Sequence, residues 1–468
     1  MNSSTFRLAA LLWPALVLAA DPSGAMEARL AQLRANPPAL YAFLLRMPKG
    51  GDLHNHLTGA VYAESYLGAA AEDGLCANLR AGSLVLPNQD GGCADGDMPA
   101  ARAARDNSLR NALIDSFSMR GFVPVAESAH DHFFGAFAKF NAVKADHRGA
   151  FLAEVTRRAA EQNESYLEVM AINGKPANSL ADKVSWDIDL DRIRQKLLAG
   201  GLDAVVEQLR ARLDDTEKSR RAALGCDAEP NSAACRVVVR YIFEVLRESP
   251  ANQVFAQALA GFRLAAVDPL LVGVNFVQAE DGLISMRDYH LHMHMMQYLR
   301  AAYPKVHVTL HAGELAPGLV PPDGLRFHIR EAVEIGGAER IGHGVDLAYE
   351  TDSDGLVALM RRKRILVEIN LTSNDLILGV RGNQHPLPLY LKAGVPVAIA
   401  TDDEGVSRTH LTQELLRAAI DYRLSYAELK EMARNSLQYA FAEEAEKARL
   451  RKDLEERFRA FEKSPAIE

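Results

Sequence analysis

The chain has 468 residues, with 53 Lys or Arg against 61 Asp or Glu, so its formal net charge is −8. This length is enough to bury a large core, either as one large α/β domain with insertions or as two ordinary domains. The acidic balance and the absence of any basic tract in the sequence argue against nucleic acid and anionic membranes as partners.

The first twenty residues differ in character from the rest of the chain. Arg7 precedes an apolar run over residues 8–20, and the small residues Ala19 and Ala20 stand before a polar segment. This order is typical of a secretory signal peptide, and the run is short for a membrane span. We predict a signal peptide over residues 1–20, a single mature domain over 21–468 and a periplasmic or secreted protein with no membrane anchor. A buried N-terminal helix is the alternative.

Four cysteines fit an exported protein, because oxidising compartments favour disulfides. Three connectivities are open to Cys76, Cys93, Cys226 and Cys235. Both members of each near pair lie in loop-like sequence rich in Gly, Asn and Ser, which favours Cys76–Cys93 and Cys226–Cys235. None has the Cys-x-x-Cys spacing of a thiolate zinc site.

Helical patterns come first along the mature chain. Apolar spacing predicts a helix over residues 26–45, and an aromatic stripe predicts another over 128–143, while 58–150 contains no convincing strand. Residues 176–236 are longer than a crossover needs, and we interpret them as an insertion that carries a polar helix over 202–223. A capping box at Ser425 predicts a helix through Phe441, and an amphipathic pattern beyond residue 450 predicts a last helix, so that the chain ends in a helical extension.

Eight short apolar, β-rich runs punctuate the chain, each separated from the next by enough residues for a helix. They are the segment at residue 53 and residues 166–172, 237–245, 271–277, 306–310, 341–345, 365–369 and 395–400. This alternation predicts an α/β fold, a (β/α)8 TIM-type barrel with its active site at the C-terminal strand ends. A doubly wound open sheet is the alternative, but no Gly-rich phosphate turn follows any strand.

Two histidines stand two residues apart at the end of the first strand. Residues i and i+2 of a strand lie on one face, so His54 and His56 would aim both imidazoles into one space. Two neutral imidazoles are half of a zinc site, although two ordinary polar residues would show the same spacing.

Three later strand ends carry residues that could complete such a site. The strand at 306–310 leads into His311 and Glu314, the next ends at His343, and the last ends in Asp402 and Asp403. Because the C-terminal strand ends of a barrel meet at its mouth, these side chains can converge although they are far apart in sequence. The combination is more specific than any single member.

The other histidines are predicted to lie elsewhere. His290, His292 and His294 follow a helix-start signature, and residues two apart on a helix point about 200° from one another, so we interpret them as a helix surface. The same reasoning applies to His130 and His132. The pair His385-Pro386 is interpreted as a helix-start element.

Five pieces of the sequence occur in a fixed order. They are Met47-Pro48-Lys49-Gly50 with His54-Asn55-His56, His311-Ala312-Gly313-Glu314, Arg340-Ile341-Gly342-His343-Gly344, Thr401-Asp402-Asp403 and Ala433-Arg434-Asn435-Ser436. In this order they resemble the adenosine/AMP deaminase family of metal-dependent hydrolases, over about residues 47–441. The export signal and Met-Pro-Lys-Gly are most similar to the extracellular, growth-factor-related branch of that family.

The resemblance implies a role for each group. One Zn²⁺ per chain would be held by four ligands: His54, His56, His311 and Asp402. Glu314 would protonate the purine ring nitrogen, His343 would orient and deprotonate the attacking water, and Asp403 would hydrogen-bond the base. Zn²⁺ lowers the pKa of a bound water toward about 7, and the neighbouring carboxylates Asp402 and Asp403 would repel each other without a cation.

Several positions depart from the family pattern. Thr58 stands where the intracellular enzymes carry Asp, and Glu404 stands where Pro is usual. In the strand end that resembles Asp-Leu-x-Gly-x-Glu, Asn275 replaces Asp and Gln278 replaces Gly. We expect these changes, above all Thr58 and Gln278, to affect substrate binding and to leave the metal ligands complete.

The expected activity is zinc-dependent hydrolytic deamination of adenosine or 2′-deoxyadenosine to the inosine nucleoside and ammonia. The partner would be a small-molecule purine nucleoside; a homodimer is left open. One alternative is deamination of another aminopurine nucleoside or nucleotide. The other is an exported binding or signalling protein of the same fold without turnover, against which Glu314 argues, because a pure binder has no need of an acid.

Overall fold

The computed structural model describes residues 22–463, so the predicted signal peptide lies outside the described residues. The strands are β1 Gly51–His56, β2 Cys76–Asn78, β3 Ser83–Val85, β4 Met98–Pro99, β5 Tyr166–Asn173, β6 Val238–Leu246, β7 Leu271–Val277, β8 His307–Ala312, β9 Arg340–His343, β10 Leu366–Ile369 and β11 Val397–Ile399.

The helices alternate with these strands. They are α1 Pro22–Leu33, α2 Pro37–Arg46, α3 Leu57–Ala60, α4 Ala63–Glu72, α5 Ala100–Ala103, α6 Asn107–Ser116, α7 Ala129–Lys139, α8 Arg148–Glu161, α9 Asn178–Ala181, α10 Leu190–Ala199, α11 Leu202–Leu224, α12 Ala233–Arg236, α13 Ala251–Ala265, α14 Leu283–Arg287, α15 Tyr289–Ala302, α16 His328–Glu334, α17 Ser353–Lys363, α18 Leu371–Leu378, α19 Leu387–Ala393, α20 Glu404–Ser407, α21 Leu411–Asp421, α22 Tyr426–Gln438 and α23 Glu444–Lys463.

Eight strands form one parallel sheet in the order β1-β5-β6-β7-β8-β9-β10-β11. The sheet closes between its first and last strands, where the His56 amide donates to the Asp402 carbonyl at 3.0 Å and the Asp402 amide donates to the His54 carbonyl at 2.8 Å. The predicted (β/α)8 barrel and all eight predicted strands are therefore confirmed. Apolar residues of the strands are buried almost throughout, as expected for a sheet covered by helices.

The part of the chain that connects β1 to β5 forms a second, small sheet, although no strand was predicted there. Its three strands pair antiparallel in the order β3-β2-β4. None is longer than three residues, which is too short to show the alternation that identifies a strand in sequence. The predicted disulfide Cys76–Cys93 is present beside this sheet, with its Cα atoms 5.7 Å apart.

The segment 176–236 carries α9 to α12 between β5 and β6. Its long helix α11 packs against α8 and α13 on the outside of the barrel. Cys226 and Cys235 form the second predicted disulfide, with Cα atoms 5.5 Å apart, between α11 and α12. Whether this segment is an insertion relative to related proteins stays a prediction.

Three predicted helices differ in their bounds. The predicted helix over 26–45 is two helices, because Asn36 caps a new helix that begins at Pro37. The aromatic helix is shorter than predicted, with Ser128 as its N-cap. The capping box between Ser425 and Glu428 is present, but the helix it starts ends at Gln438. The C-terminal helical extension is α23, which buries Leu450, Leu454 and Phe458.

The run of three histidines lies on α15, as predicted, but it is not all surface. His290 and His294 are exposed, whereas His292 is 1% exposed and its ring packs on Phe276 with centroids 5.3 Å apart. The prediction of a helix surface is therefore wrong for His292, because that side of α15 faces the barrel. It is also wrong for His132 on α7, which is 7% exposed.

Across residues 22–463, no helix combines the length and the apolar character that crossing a membrane would require.

Candidate metal centre and active site

Four side chains meet at the mouth of the barrel, at the C-terminal ends of β1, β8 and β11. The Nε2 atoms of His54 and His56 are 3.3 Å apart, and each lies 3.1 Å from Nε2 of His311. Oδ1 of Asp402 lies 3.3 Å from Nε2 of both His54 and His56. The structure thus brings together the four residues that the sequence predicts as ligands.

The spacing of these atoms suits a small cation that would bind between them. Ligand distances of about 2.0–2.1 Å place the corners of a tetrahedron about 3.3 Å apart. Five of the six separations among the four atoms are 3.1–3.3 Å and match those edges. Three imidazole nitrogens and one carboxylate oxygen are also a donor set that suits Zn²⁺.

Supporting side chains orient two of these ligands. His54 donates from Nδ1 to Oε2 of Glu368 at 2.7 Å, which turns Nε2 toward the cluster. Ser373 donates its hydroxyl to Oδ2 of Asp402 at 2.6 Å, so that Oδ1 faces the histidines. Neither Glu368 nor Ser373 was predicted from the sequence, although a glutamate inside the apolar run at 365–369 was a visible signal.

The electrostatics of the cluster favour a positive charge. Burial lowers the pKa of His54, but the hydrogen bonds and charges of Asp402 and Glu368 outweigh burial and raise that pKa to about 10. For Asp402, burial raises the pKa, yet the neighbouring imidazoles hold it below its ordinary value. Burial and the adjacent imidazoles lower the pKa of His311. A proton or a metal ion is therefore strongly favoured between these groups.

Glu314 borders the same space. It follows β8, it is 6% exposed, and its Oε1 lies 3.6 Å from Nδ1 of His343. The amides of Gly313 and Glu314 donate to the carboxylate of Glu280 at 3.0 and 2.9 Å, which fixes the backbone at this turn. Burial, followed by the charge of Asp402, raises the pKa of Glu314 well above its ordinary value, which favours the protonated form of its carboxyl group.

His343 is the last residue of β9 and lies next to Glu314. Its Nε2 atom lies 4.0 Å from Oδ2 of Asp402, and its Nδ1 atom accepts a hydrogen bond of 2.9 Å from the amide of Asn374. Burial lowers the pKa of His343 to about 3, which keeps the imidazole neutral. Asn374, on α18, is a further residue that the sequence analysis missed.

Asp403 is buried beside the cluster. A Cβ atom at Gly59 would lie 1.6 Å from Oδ1 of Asp403, so only glycine fits there. Burial and the charge of Asp402 raise the pKa of Asp403 well above its ordinary value. Thr58, immediately before this glycine, is exposed on α3, and its carbonyl accepts a 2.6 Å hydrogen bond from the Tyr66 hydroxyl.

Gln278 adopts the backbone conformation that suits a glycine. Its φ is +83°, in the left-handed region, and the side chain is exposed, with its amide oxygen accepting from the Glu248 amide at 3.0 Å. The backbone is thus consistent with the glycine that the family carries at this position. His343 and Asp402 also have positive φ, so three strand ends at the mouth carry a conformation that costs about 1 kcal/mol or more in a non-glycine residue.

The remaining two departures from the family pattern have buried partners. Glu404 is 4% exposed and pairs with Arg158 of α8 at 2.7 Å. The amide of His311 donates to Oδ1 of Asn275 at 3.0 Å. Both side chains therefore have structural partners, and an effect of either residue on substrate binding stays a prediction.

The fold and the cluster define a (β/α)8-barrel protein with a His/Asp cluster at its mouth that could hold a metal ion. The chain belongs to the adenosine deaminase family, because the family model described as "Adenosine deaminase" matches residues 212–457, just over half of the chain.

Comparisons with individual proteins agree with this assignment. An adenosine deaminase of Enterococcus faecalis is 36% identical over 152 residues, which is 32% of this chain and 42% of that protein. The chain spans less than two thirds of the length of the curated relatives it matches. The fold is similar to the N6-mAMP deaminase MAPDA of arabidopsis, with a TM-score of 0.60, 20% identity and coverage of 89% of this chain and 99% of that one. It is also similar to an amidohydrolase of Burkholderia ambifaria with bound Zn, with a TM-score of 0.56, 17% identity and coverage of 90% and 93%.

Proposed function

We propose that this protein is a zinc-dependent aminohydrolase that converts adenosine or 2′-deoxyadenosine to the corresponding inosine nucleoside and ammonia. The observation that carries this proposal is the cluster of three imidazole nitrogens and one carboxylate oxygen, in which five of the six separations are 3.1–3.3 Å, beside the buried carboxyl group of Glu314. A metal centre alone would serve many hydrolases, whereas a metal centre with a protonated acid at its edge suits attack on a ring that must gain a proton.

His54, His56, His311 and Asp402 would hold the ion. Family membership, together with the Zn bound in the Burkholderia ambifaria amidohydrolase of similar fold, supports zinc as the metal. When bound, Zn²⁺ would lower the pKa of a water toward about 7 and supply hydroxide at neutral pH.

The chain's own residues would do the rest of the chemistry. Glu314, whose pKa is raised by burial, would donate its proton to the purine ring nitrogen as the ring carbon is attacked. His343 would hydrogen-bond the attacking oxygen, and Asp403 would hydrogen-bond the base. General acid catalysis of this kind contributes about 10²–10⁴-fold to a rate.

A second candidate is deamination of another aminopurine nucleoside or nucleotide. Thr58 replaces the Asp of the intracellular enzymes, and Gln278 replaces a glycine at the mouth. The arabidopsis protein of similar fold is named for a methylated nucleotide substrate, N6-mAMP. A third candidate is a binding or signalling protein without turnover, which the buried acid Glu314 disfavours.

The protein is proposed to act in the periplasm or outside the cell. The basis is the signal-like sequence of residues 1–20 together with two disulfides, which oxidising compartments favour.

The test is ammonia release by purified, zinc-loaded protein from a panel of adenine nucleosides, nucleotides and N6-methylated analogues. We expect the highest kcat/KM for adenosine or 2′-deoxyadenosine, and a nucleotide in first place would favour the second candidate. His56→Ala should abolish zinc binding and turnover. His294→Ala is the matched control, because this exposed histidine on α15 should leave both unchanged. If none of the compounds in the panel released ammonia, the proposal would be refuted.

A further inference from the structure

A row of buried side chains connects His343 to a second histidine, His385. Nε2 of His385 lies 3.0 Å from Oδ1 of Asn374, and Nδ2 of Asn374 lies 2.9 Å from Nδ1 of His343. His385 is 2% exposed, and the other two side chains are fully buried. His385 precedes α19, whose N-cap is Pro386, so the predicted helix-start role is confirmed but describes only part of what the residue does.

A backbone amide determines which ring nitrogen of His385 carries the proton. The amide N–H of Leu387 donates to Nδ1 of His385 at 3.1 Å. A backbone N–H can only donate, so this nitrogen must be the unprotonated acceptor of the ring. Burial lowers the pKa of His385 to about 3, which keeps the imidazole neutral. Its single proton therefore lies on Nε2 and is donated to Asn374.

The proton on Nε2 of His385 in turn fixes the orientation of the Asn374 amide. Oxygen and nitrogen of an amide are assigned from their partners, and here the donor on His385 requires Oδ1 of Asn374 to face it. The NH₂ group then faces His343 and donates to Nδ1 at 2.9 Å. The amide of Asn370 also borders this ring, with Nδ2 3.4 Å from Nδ1 and 3.5 Å from Nε2. Its Oδ1 is buried with no partner among residues 22–463, and exchanging the two amide atoms would place this acceptor beside Nε2. A neutral His343 with an acceptor at Nδ1 carries its proton on Nε2, the nitrogen that lies 4.0 Å from Oδ2 of Asp402.

We propose that His385, acting through Asn374, holds His343 in the tautomer protonated on Nε2, so that His343 faces the reacting centre as a hydrogen-bond donor. His385 and Asn374 are thus positioning residues. The catalytic meaning of this arrangement rests on the proposed function. His343 would orient the attacking oxygen by donating to it, whereas the resemblance to the family implied removal of a proton from the water by this residue.

The tautomer is measured directly by long-range ¹H–¹⁵N correlation NMR on zinc-loaded protein labelled with ¹⁵N-histidine. The signals of His343 are assigned by their loss in His343→Ala. We expect a protonated Nε2 and an acceptor Nδ1 in the wild type. Asn374→Asp should move the proton to Nδ1, because a carboxylate offers only acceptors. A wild-type His343 protonated on Nδ1, or an unchanged tautomer in Asn374→Asp, would overturn the proposal.

Two variants at His385 separate positioning from simple support of the fold. His385→Gln can still accept from Leu387 and donate to Asn374, so it should keep the wild-type tautomer. His385→Phe removes the donor, so it should give a mixture of tautomers and lower kcat by about 10²-fold, with smaller changes in KM and zinc content. Equal behaviour of the two variants would contradict a positioning role.

A buried histidine elsewhere provides the control for stability. His132 on α7 is 7% exposed, and its ring bonds to Glu127 and to the carbonyl of Ser118, so His132→Phe loses similar contacts. It should leave the tautomer of His343 unchanged; a changed tautomer would count against the proposal. Because the tautomer is observed without turnover, a protein with the expected spectrum and no ammonia release would support the row of contacts and refute the deaminase function.

Discussion

Nδ1 of His54 lies 2.7 Å from Oε2 of Glu368, and both side chains are completely buried. Glu368 also binds the guanidinium of Arg340 at 2.7 Å and accepts from the hydroxyl of Thr309 at 2.9 Å. Arg340 and Thr309 therefore hold the carboxylate in place while it orients His54, a predicted metal ligand. In metal sites such a partner fixes the histidine tautomer and raises the basicity of the ligand.

We predict that Glu368→Gln weakens zinc binding by about 10- to 100-fold, because the amide no longer attracts the Nδ1 proton of His54. Competition with a chelator of known affinity measures this change. Glu168→Gln is the matched control: Glu168 pairs with Arg340 at 2.5 Å from the other side, but its bonds are to Arg340, Tyr166 and the Phe441 amide. Equal loss of zinc affinity in both variants would mean that loss of the contacts around Arg340, and not the bond to His54, is responsible.

The second prediction concerns Gln278. Gln278→Gly should change the ranking of aminopurines by kcat/KM more than it changes zinc content, because it removes a long side chain from the mouth of the barrel. The backbone already has φ of +83°, so glycine should fit without rearrangement. Gln278→Ala separates the two effects, since it also removes the amide but keeps the strained φ. An unchanged ranking in both variants would show that Gln278 does not contribute to selectivity.

The third prediction concerns the cellular compartment. Protein isolated from its native host should begin near residue 21, and its four cysteines should resist alkylation until a reductant is added. Intact-mass measurement before and after reduction tests both points. Loss of Cys76–Cys93, which joins residues 17 apart, should lower the free energy of unfolding by about 3 kcal/mol. Four freely alkylated cysteines, or an uncleaved N-terminus, would contradict export.

The barrel could be predicted from sequence because buried parallel strands appear as separate apolar runs. The predicted ligands share a simple signal as well, since each of His54, His311 and Asp402 stands where such a run ends. The partners that orient them had weaker signals. Glu368 lies inside a strand, and Asn374 and His385 lie in segments that read as ordinary helix and helix start. Their roles depend on which residues face each other across the barrel, which spacing along one strand or helix does not reveal.

The fourth prediction is a pH dependence of stability from Glu350. One oxygen of this carboxyl accepts from the Ile329 amide at 2.6 Å, while Oε2 is buried with no partner among residues 22–463. Burial raises the pKa of Glu350 to about 7 from an ordinary value near 4.5. Between these values the folded state keeps a proton that the unfolded state has lost, so the stability falls as pH rises from about 4.5 to about 7 and stays reduced above that.

Glu350→Gln should remove this loss, because the amide stays neutral at every pH. We expect the variant to be more stable than wild type by roughly 1–3 kcal/mol at pH 8, with little difference at pH 4. Urea unfolding at several pH values measures the difference. Glu334→Gln, at an exposed position on the neighbouring helix α16, should follow the wild-type curve. A Glu350→Gln curve parallel to wild type would show that Glu350 is ionised in the folded protein.

The last prediction tests whether Glu314 acts as the general acid. A carboxyl group can deliver a proton to the purine ring and its amide counterpart cannot, so Glu314→Gln should lower kcat by at least about 10²–10⁴-fold. Zinc content should persist, because Glu314 is not a proposed ligand, and KM should change far less than kcat. If Glu314 served only to hold the turn after β8, the amide would cost about a kcal/mol of stability with near-normal turnover. Measuring kcat, zinc stoichiometry and melting temperature on this one variant separates these outcomes, and a zinc-loaded Glu314→Gln protein with normal kcat would refute the proposed mechanism.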